Sequence, residues 1–174
     1  MRLFFALWPD AALRGRIADV AAALPLAATM RTVPWQNYHV TLVFIGEVAS
    51  AELAALRQLG TRQRVAASEI RFDAYEYWES AQAVVAVAQR TPDALSELAN
   101  GLGRSKLADP TLRLHVTLAR KVAQAPVLQA MSPFNWNASS FSLIRSDTSR
   151  THSVYTVVDT WPLLDKRQKS WQSL

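Results

Sequence analysis

The sequence predicts an α+β fold with mostly antiparallel sheets, built on an internal duplication. Three observations point there. Short apolar stretches rich in β-branched and aromatic residues alternate with segments whose apolar residues recur every three or four positions. The four residues HVTL occur twice, at 39–42 and at 115–118. The two histidines lie 115 − 39 = 76 residues apart in a chain of 174, close to half its length, and the copies sit at matching places in the order of elements.

RLFFALW, residues 2 to 8, is an aromatic-rich apolar run stopped by Pro9 and reads as a buried strand. Asp10 is a fitting N-cap for a helix in which Leu13, Ile17, Val20, Ala21 and Leu24 recur at three- and four-residue spacing until Pro25. Residues 26 to 36 form a loop, and VTLVFI at 40 to 45 is a second apolar strand closed by Gly46. Ser50 caps a second helix running to about Leu59, with Leu53 and Leu56 on one face and Gly60 as its stop signal. IRFDAYEYW at 70 to 78 and the continuously apolar AVVAVA at 83 to 88 make a hairpin that turns near Glu79, Ser80 and Ala81. Thr91 and Pro92 open a third helix, in the cap and first-turn positions, that carries Leu95, Leu98 and Leu102 inward. After a polar turn at Asp109 and Pro110, LRLHVTLARKV at 112 to 122 is again a strand. A short helical or irregular piece near 125 to 131 leads to strands FSLIRS at 141 to 146 and SVYTVVDTW at 153 to 161, with the polar loop SDTSRTH exposed between them.

A chain of this length makes one domain, or two small lobes sharing a core. Half of its residues are hydrophobic and only five are glycine, which excludes disordered and collagen-like classes. No apolar run reaches the roughly 20 residues of a membrane helix. The opening MRLFFALWPDAALR lacks the features of a signal peptide, so a cytoplasmic protein with no membrane partner is expected. The absence of cysteine excludes disulfides, thiolate metal sites and cysteine nucleophiles, and agrees with a reducing compartment. The net charge of +5 and a pI near 10.0 favour a polyanionic partner, although part of the excess sits in KRQK at 166 to 169, which reads as a solvated end. No cluster of carboxylates suggests a bound metal, no cofactor is expected, and a monomer is expected.

Side chains at i and i+2 of a strand share a face, so His39 stands with Thr41 and His115 with Thr117, while Val40, Leu42 and their counterparts turn into packing. If the two strands are neighbours, two imidazoles and two hydroxyls line one cleft. Histidine titrates near neutrality, so one imidazole can take a proton while its twin gives one. Phosphodiester cleavage needs that pair: a base for the attacking oxygen, an acid for the departing sugar oxygen, and hydroxyl donors for the charge on the phosphate. A lone His-x-Thr on an apolar strand is most often a core histidine; four shared residues at matching places, using two of three histidines, argue for a joint site. His152 is followed two residues on by Val154 and reads as a surface or packing histidine. Arg120 falls on the face opposite His115 in an ideal strand, and only a bulge or the strand's end brings its fork to a phosphate. Among the aromatic residues near the first motif, Trp35 and Tyr38 precede it and Phe44 follows it with the parity of Leu42; most belong to the core, and Trp35 in the loop PWQN is the most exposed choice.

These residues resemble the 2H phosphoesterases, named for two His-x-Thr/Ser motifs, and within them the RNA 2′,3′-cyclic phosphodiesterases, historically called 2′-5′ RNA ligases. The resemblance rests on both HVTL copies and on RLFFALWP, VFIGEV, LHVTLAR and FSLIRS…VYTVVDTWPL in the family's order, from about residue 1 to 164. It implies a single bilobal domain of two intertwined lobes, one motif on each, with two pseudo-symmetric sheets around a central cleft and helices on the outside. It also implies opening of an RNA 2′,3′-cyclic phosphate to a 2′-phosphate without metal or cofactor. His39 would be the proton donor, His115 the proton acceptor, Thr41 and Thr117 the donors to phosphate oxygens, and Arg120 a phosphate-binding residue. Joining RNA ends through a 2′-5′ linkage is the reverse sense of the same chemistry. The span between the second motif and the last strands is short and polar, which would leave the RNA groove open. Two other readings stand beside this one: a 2H enzyme acting on 2′-5′ linkages or small cyclic nucleotides, and an RNA-binding module whose histidines are inert.

Overall fold

A computed structural model describes residues 1–25, 30–103, 112–147 and 153–165. Ten strands and three α-helices alternate along them. β1 (Arg2–Leu7), α1 (Ala11–Ala22), the two-residue β2 (Arg31–Thr32), β3 (Val40–Glu47) and α2 (Leu53–Thr61) precede three short strands, β4 (Ser68–Phe72), β5 (Ala74–Trp78) and β6 (Ala83–Val87). α3 (Asp93–Leu102), β7 (His115–Arg120), β8 (Phe134–Ala138), β9 (Ser140–Asp147) and β10 (Val154–Pro162) complete the order. The predicted α+β class is therefore met, and the pairing is antiparallel throughout the three sheets. One sheet runs β10-β9-β1-β3, the second β2-β7-β6-β5, and β4 pairs with β8 alone. The two motif strands thus belong to different sheets, and β3 and β7 approach each other across the gap.

Local chemistry accounts for the helices. The Asp10 carboxylate accepts the Leu13 N–H at 2.8 Å and caps α1, whose Ile17, Val20 and Ala21 are buried. Two expected caps are displaced. Ser50 opens a 3₁₀ turn instead, and the Glu52 carboxylate reaches back to the Ala49 N–H at 3.0 Å before α2 begins at Leu53. Thr91 gives its hydroxyl to the Leu112 carbonyl at 2.8 Å, so Pro92 takes the cap position of α3. Residues 125 to 131 are irregular rather than helical.

The segment 70–78 is not one strand. It breaks at Asp73, with β5 forming the expected hairpin with β6 while Ile70 and Phe72 pair with Trp136 and Phe134 of β8. β8 was not expected from the sequence, yet its burial alternates residue by residue, buried at Phe134, Trp136 and Ala138. The turn at Asp109 and Pro110, His152 with most of the SDTSRTH loop, and KRQK lie outside the described residues. Among those described, no helix is long and apolar enough to cross a membrane.

One continuous apolar core joins Leu3, Phe5 and Leu42 of the first sheet to Val84, Val116 and Leu118 of the second, and to Phe72, Leu56 and Leu98 from the other elements. Each fully buried side chain of this size contributes roughly 1.5–3 kcal/mol.

Gly60 is not a stop signal. It lies inside α2, buried, where an added Cβ would sit 2.6 Å from the ring of Trp161. That ring is stacked on Phe141 at 5.3 Å and donates its Nε1–H to Thr61 Oγ1 at 3.1 Å, so it has no easy retreat. Helix propensity alone would favour Gly60→Ala by about 1 kcal/mol. Overpacking costs about 1–3 kcal/mol and wins, so thermal or urea unfolding of Gly60→Ala should show net destabilisation; a variant as stable as the parent would contradict this packing.

Candidate active site

Register decides what faces the cleft. Along β1 and β3, Ala6 pairs with Thr41 and Phe5 with Val43, leaving Leu42 as an extra residue. Along β6 and β7, Val85 pairs with Thr117 and Val84 with Ala119, leaving Leu118 extra. Each motif strand therefore carries a β-bulge at the leucine that follows its threonine. Leu42 with Val43, and Leu118 with Ala119, are consecutive buried pairs. The next residue returns to the face of the histidine and threonine, which reverses two parity expectations. Phe44, 50% exposed, leaves the side of Leu42 and enters the cleft, and Arg120 enters it as well. Phe44 and Arg120 occupy equivalent places five residues after their histidines.

The cleft comprises two adjoining cavities of about 240 and 380 Å³ that share His39, Arg120, Ser153 and Tyr155. The smaller adds Thr117, Arg31 and Lys121, and the larger adds Thr41, Arg2 and Phe44. The Arg2 guanidinium lies over the Phe44 ring, 4.7 Å from its centroid. The structure thus gathers His39, Thr41, Thr117 and Arg120 at one place. His115 opens β7 on the face of Thr117 and does not line either cavity, although its charge is felt at His39. Trp35 is 49% exposed, as expected, but lies outside both linings. Among the described residues, no group of three His, Asp or Glu side chains could hold a metal ion.

Both imidazoles are held in the same way. His39 Nδ1 lies 2.7 Å from the Asn37 carbonyl and His115 Nδ1 lies 2.8 Å from the Arg113 carbonyl, in each case two residues back. A carbonyl only accepts, so Nδ1 carries the hydrogen and Nε2 is the nitrogen left for a substrate. Asn37 is itself tied down, its Nδ2 donating to the Ser153 carbonyl at 2.9 Å.

Their surroundings differ. His39 is packed among Phe4, Tyr155 and Trp8, with ring centroids 5.0, 5.2 and 5.8 Å away, and Arg14 stacks on Trp8 at 5.3 Å. Burial pushes the His39 pKa down to about 4, against the pull of the Asn37 carbonyl and with help from the charges of Arg120 and His115. Burial also lowers His115; the Arg113 carbonyl and Glu76 oppose this, while the charges of Arg120 and Arg113 add to it. Glu76 grips Arg113 through two bonds of 2.9 and 2.6 Å and accepts the Trp78 Nε1–H at 2.9 Å, and the Trp78 ring packs on His115 at 4.3 Å. Both imidazoles are neutral at pH 7 in the free protein. For His39 the unfolded chain takes up a proton first, so its contribution to stability is present above about pH 6.5 and is lost as pH falls towards 4.

Neither Glu76 and Trp78 nor Trp8 and Tyr155 stood out in the sequence as neighbours of a site. Their positions on strands were legible, but which histidine each would meet depends on pairing between distant segments.

Residues 9–150 match the 2′-5′ RNA ligase superfamily. The chain is 30% identical over 171 residues to the RNA 2′,3′-cyclic phosphodiesterase of Escherichia coli (strain K12), covering 93% of this chain and 96% of that one. It is 29% identical over 180 residues to the RNA 2′,3′-cyclic phosphodiesterase of Thermus thermophilus, covering 94% and 90%. The crystal structure of E. coli LigT complexed with phosphate superposes with a TM-score of 0.83 at 30% identity, over 93% of this chain and 96% of that one.

The contrast between the two imidazoles is measurable. Replacing Glu76 by Gln removes the one carboxylate that favours charged His115, so NMR titration of the imidazoles should show the His115 midpoint fall while that of His39 stays in place. A His115 midpoint that holds or rises would refute the electrostatic role of Glu76.

Proposed function

The chain belongs to the 2′-5′ RNA ligase superfamily, and we propose that it is an RNA 2′,3′-cyclic phosphodiesterase that opens the cyclic end to a 2′-phosphate by paired histidine acid–base chemistry. The observation that carries this reading is the matched pair of bulged His-x-Thr strands, each imidazole fixed through Nδ1 with its Nε2 free for reaction. In this reading the chain is one 2H phosphoesterase domain of two intertwined lobes with one motif on each.

His115 Nε2 takes a proton from water as the water oxygen forms its bond to phosphorus. The bond from phosphorus to the 3′-oxygen breaks, and His39 gives that oxygen its proton. Thr41 and Thr117 donate to the non-bridging oxygens, and the Arg120 fork neutralises charge gathered there. His39 is neutral when the cleft is empty; a bound phosphate anion favours its charged form, so the acid is created by the substrate it serves. His115, with Glu76 and Trp78 beside it, is the better placed of the two to carry a new positive charge. No step calls for a metal. With a 5′-hydroxyl in place of water, the same sequence of bonds forms a 2′-5′ linkage.

Incubation with RNA ending in a 2′,3′-cyclic phosphate, with EDTA present, should yield a 2′-phosphate, and His39→Ala and His115→Ala should each slow this by roughly 10²- to 10⁴-fold. A 3′-phosphate product, dependence on metal, or full activity in either variant would reject the assignment. An inert RNA-binding module would instead keep salt-sensitive RNA affinity in the double variant and show no turnover in the parent. Because both imidazoles are lowered from 6.5, kcat/KM should be bell-shaped with its maximum below pH 6.5, and kcat should peak at higher pH once phosphate is bound. The two limbs would belong to the coupled pair.

A further inference from the structure

We propose that Arg31 and Lys121 form a second anion subsite beside Thr117, which holds a phosphate that the substrate carries in addition to its reacting cyclic one. Two costly features converge on the smaller cavity. In the pairing of β2 with β7, Arg31 stands directly opposite Arg120, an arrangement in which like charges repel. Lys121 follows Arg120 and would point away from it in a continuing strand. Instead its φ is 59°, in the left-handed region, and both cations line the same cavity. This conformation is held from outside: the Val122 N–H donates to the Gln82 carbonyl at 3.0 Å, and the Tyr77 hydroxyl donates to the Val122 carbonyl at 2.8 Å. Gln82 is itself left-handed, at φ 45°. Strain kept in place by its surroundings marks functional positions. Among the described residues, none of Arg31, Arg120 and Lys121 pairs with a carboxylate. Three unneutralised cations around one cavity of about 240 Å³ fit an anion. The cavity opens onto His39 and Thr117, so the anion belongs to the molecule whose cyclic phosphate reacts. It is the phosphate on the 5′-oxygen of the terminal nucleotide, a monoester in a mononucleotide and the diester link to the preceding residue in a longer RNA.

This inference rests on the cyclic phosphodiesterase reading, and its test keeps the two apart. A nucleoside 2′,3′-cyclic phosphate, the same compound with a 5′-phosphate, and a dinucleotide ending in the cyclic phosphate are compared on the parent, Arg31→Gln and Lys121→Gln. The parent should prefer an extended substrate in kcat/KM, and each substitution should cut that preference about tenfold, equivalent to about 1.4 kcal/mol. Loss already seen with the 5′-phosphorylated mononucleotide shows that the subsite takes the monoester; loss confined to the dinucleotide shows that it takes the diester. A preference unchanged in both variants overturns the subsite. Lys121→Gly should lower the preference while raising Tm by about 2 °C, because glycine accepts the left-handed turn; no rise in Tm overturns the strain argument. Binding of RNA ending in a 2′-phosphate needs no turnover. Its slope of log affinity against log salt should fall by about 0.7 for each cation removed, and an unchanged slope overturns the subsite. A slope change in the variants together with a parent that hydrolyses no cyclic phosphate would keep the subsite and overturn the catalytic reading.

Discussion

An extra residue at Leu42 in β3 and another at Leu118 in β7 send two consecutive side chains of each strand to the buried side. The cleft depends on this. Without the bulges, strict alternation would turn Phe44 and Arg120 away from the histidines that precede them. With them, each strand presents a histidine, a threonine and one further side chain on a single face, backed by a doubled apolar step into the core. The bulges are stable because that step is filled: Leu42 and Leu118 belong to the same continuous core, and exposing either would forfeit roughly 1.5–3 kcal/mol of burial.

The two halves of the site share a frame and differ in what fills it. In both, a carbonyl two residues back fixes the imidazole tautomer, and a tryptophan packs on the ring. Behind Trp8 stands the cation Arg14, whereas Trp78 donates to the carboxylate of Glu76. Burial and nearby arginine charge resist protonation of both imidazoles, but a carboxylate opposes this only at His115. Phe44 and Arg120 extend the difference outwards, an aromatic face in one half and a guanidinium fork in the other. A symmetric frame thus surrounds its two imidazoles with unlike neighbours.

Stability and the proposed chemistry draw on the same residues. His39 is neutral because it is buried, and its burial costs stability in acid. Arg31 opposite Arg120, and Lys121 in a left-handed turn, are arrangements the fold tolerates beside the cleft and nowhere else among the described non-glycine residues except at Gln82, which is bonded to the same turn.

The order of residues alone was enough to specify the α+β class, most of the strands and helices, the apolar faces of the helices, and the paired His39 with Thr41 and His115 with Thr117. Those features are local: periodicity, a cap such as Asp10 and a repeated tetrapeptide are written in neighbouring residues. The break at Asp73, the strand at 134–138, the packing duty of Gly60 and the places of Phe44 and Arg120 were not legible there. β4 exists because β8 pairs with it, Gly60 is required because Trp161 arrives 101 positions later, and the bulges are defined only by the strands opposite them. Parity within a strand is a property of the chain, but register between strands is a property of the fold, and it is register that put Arg120 in the cleft.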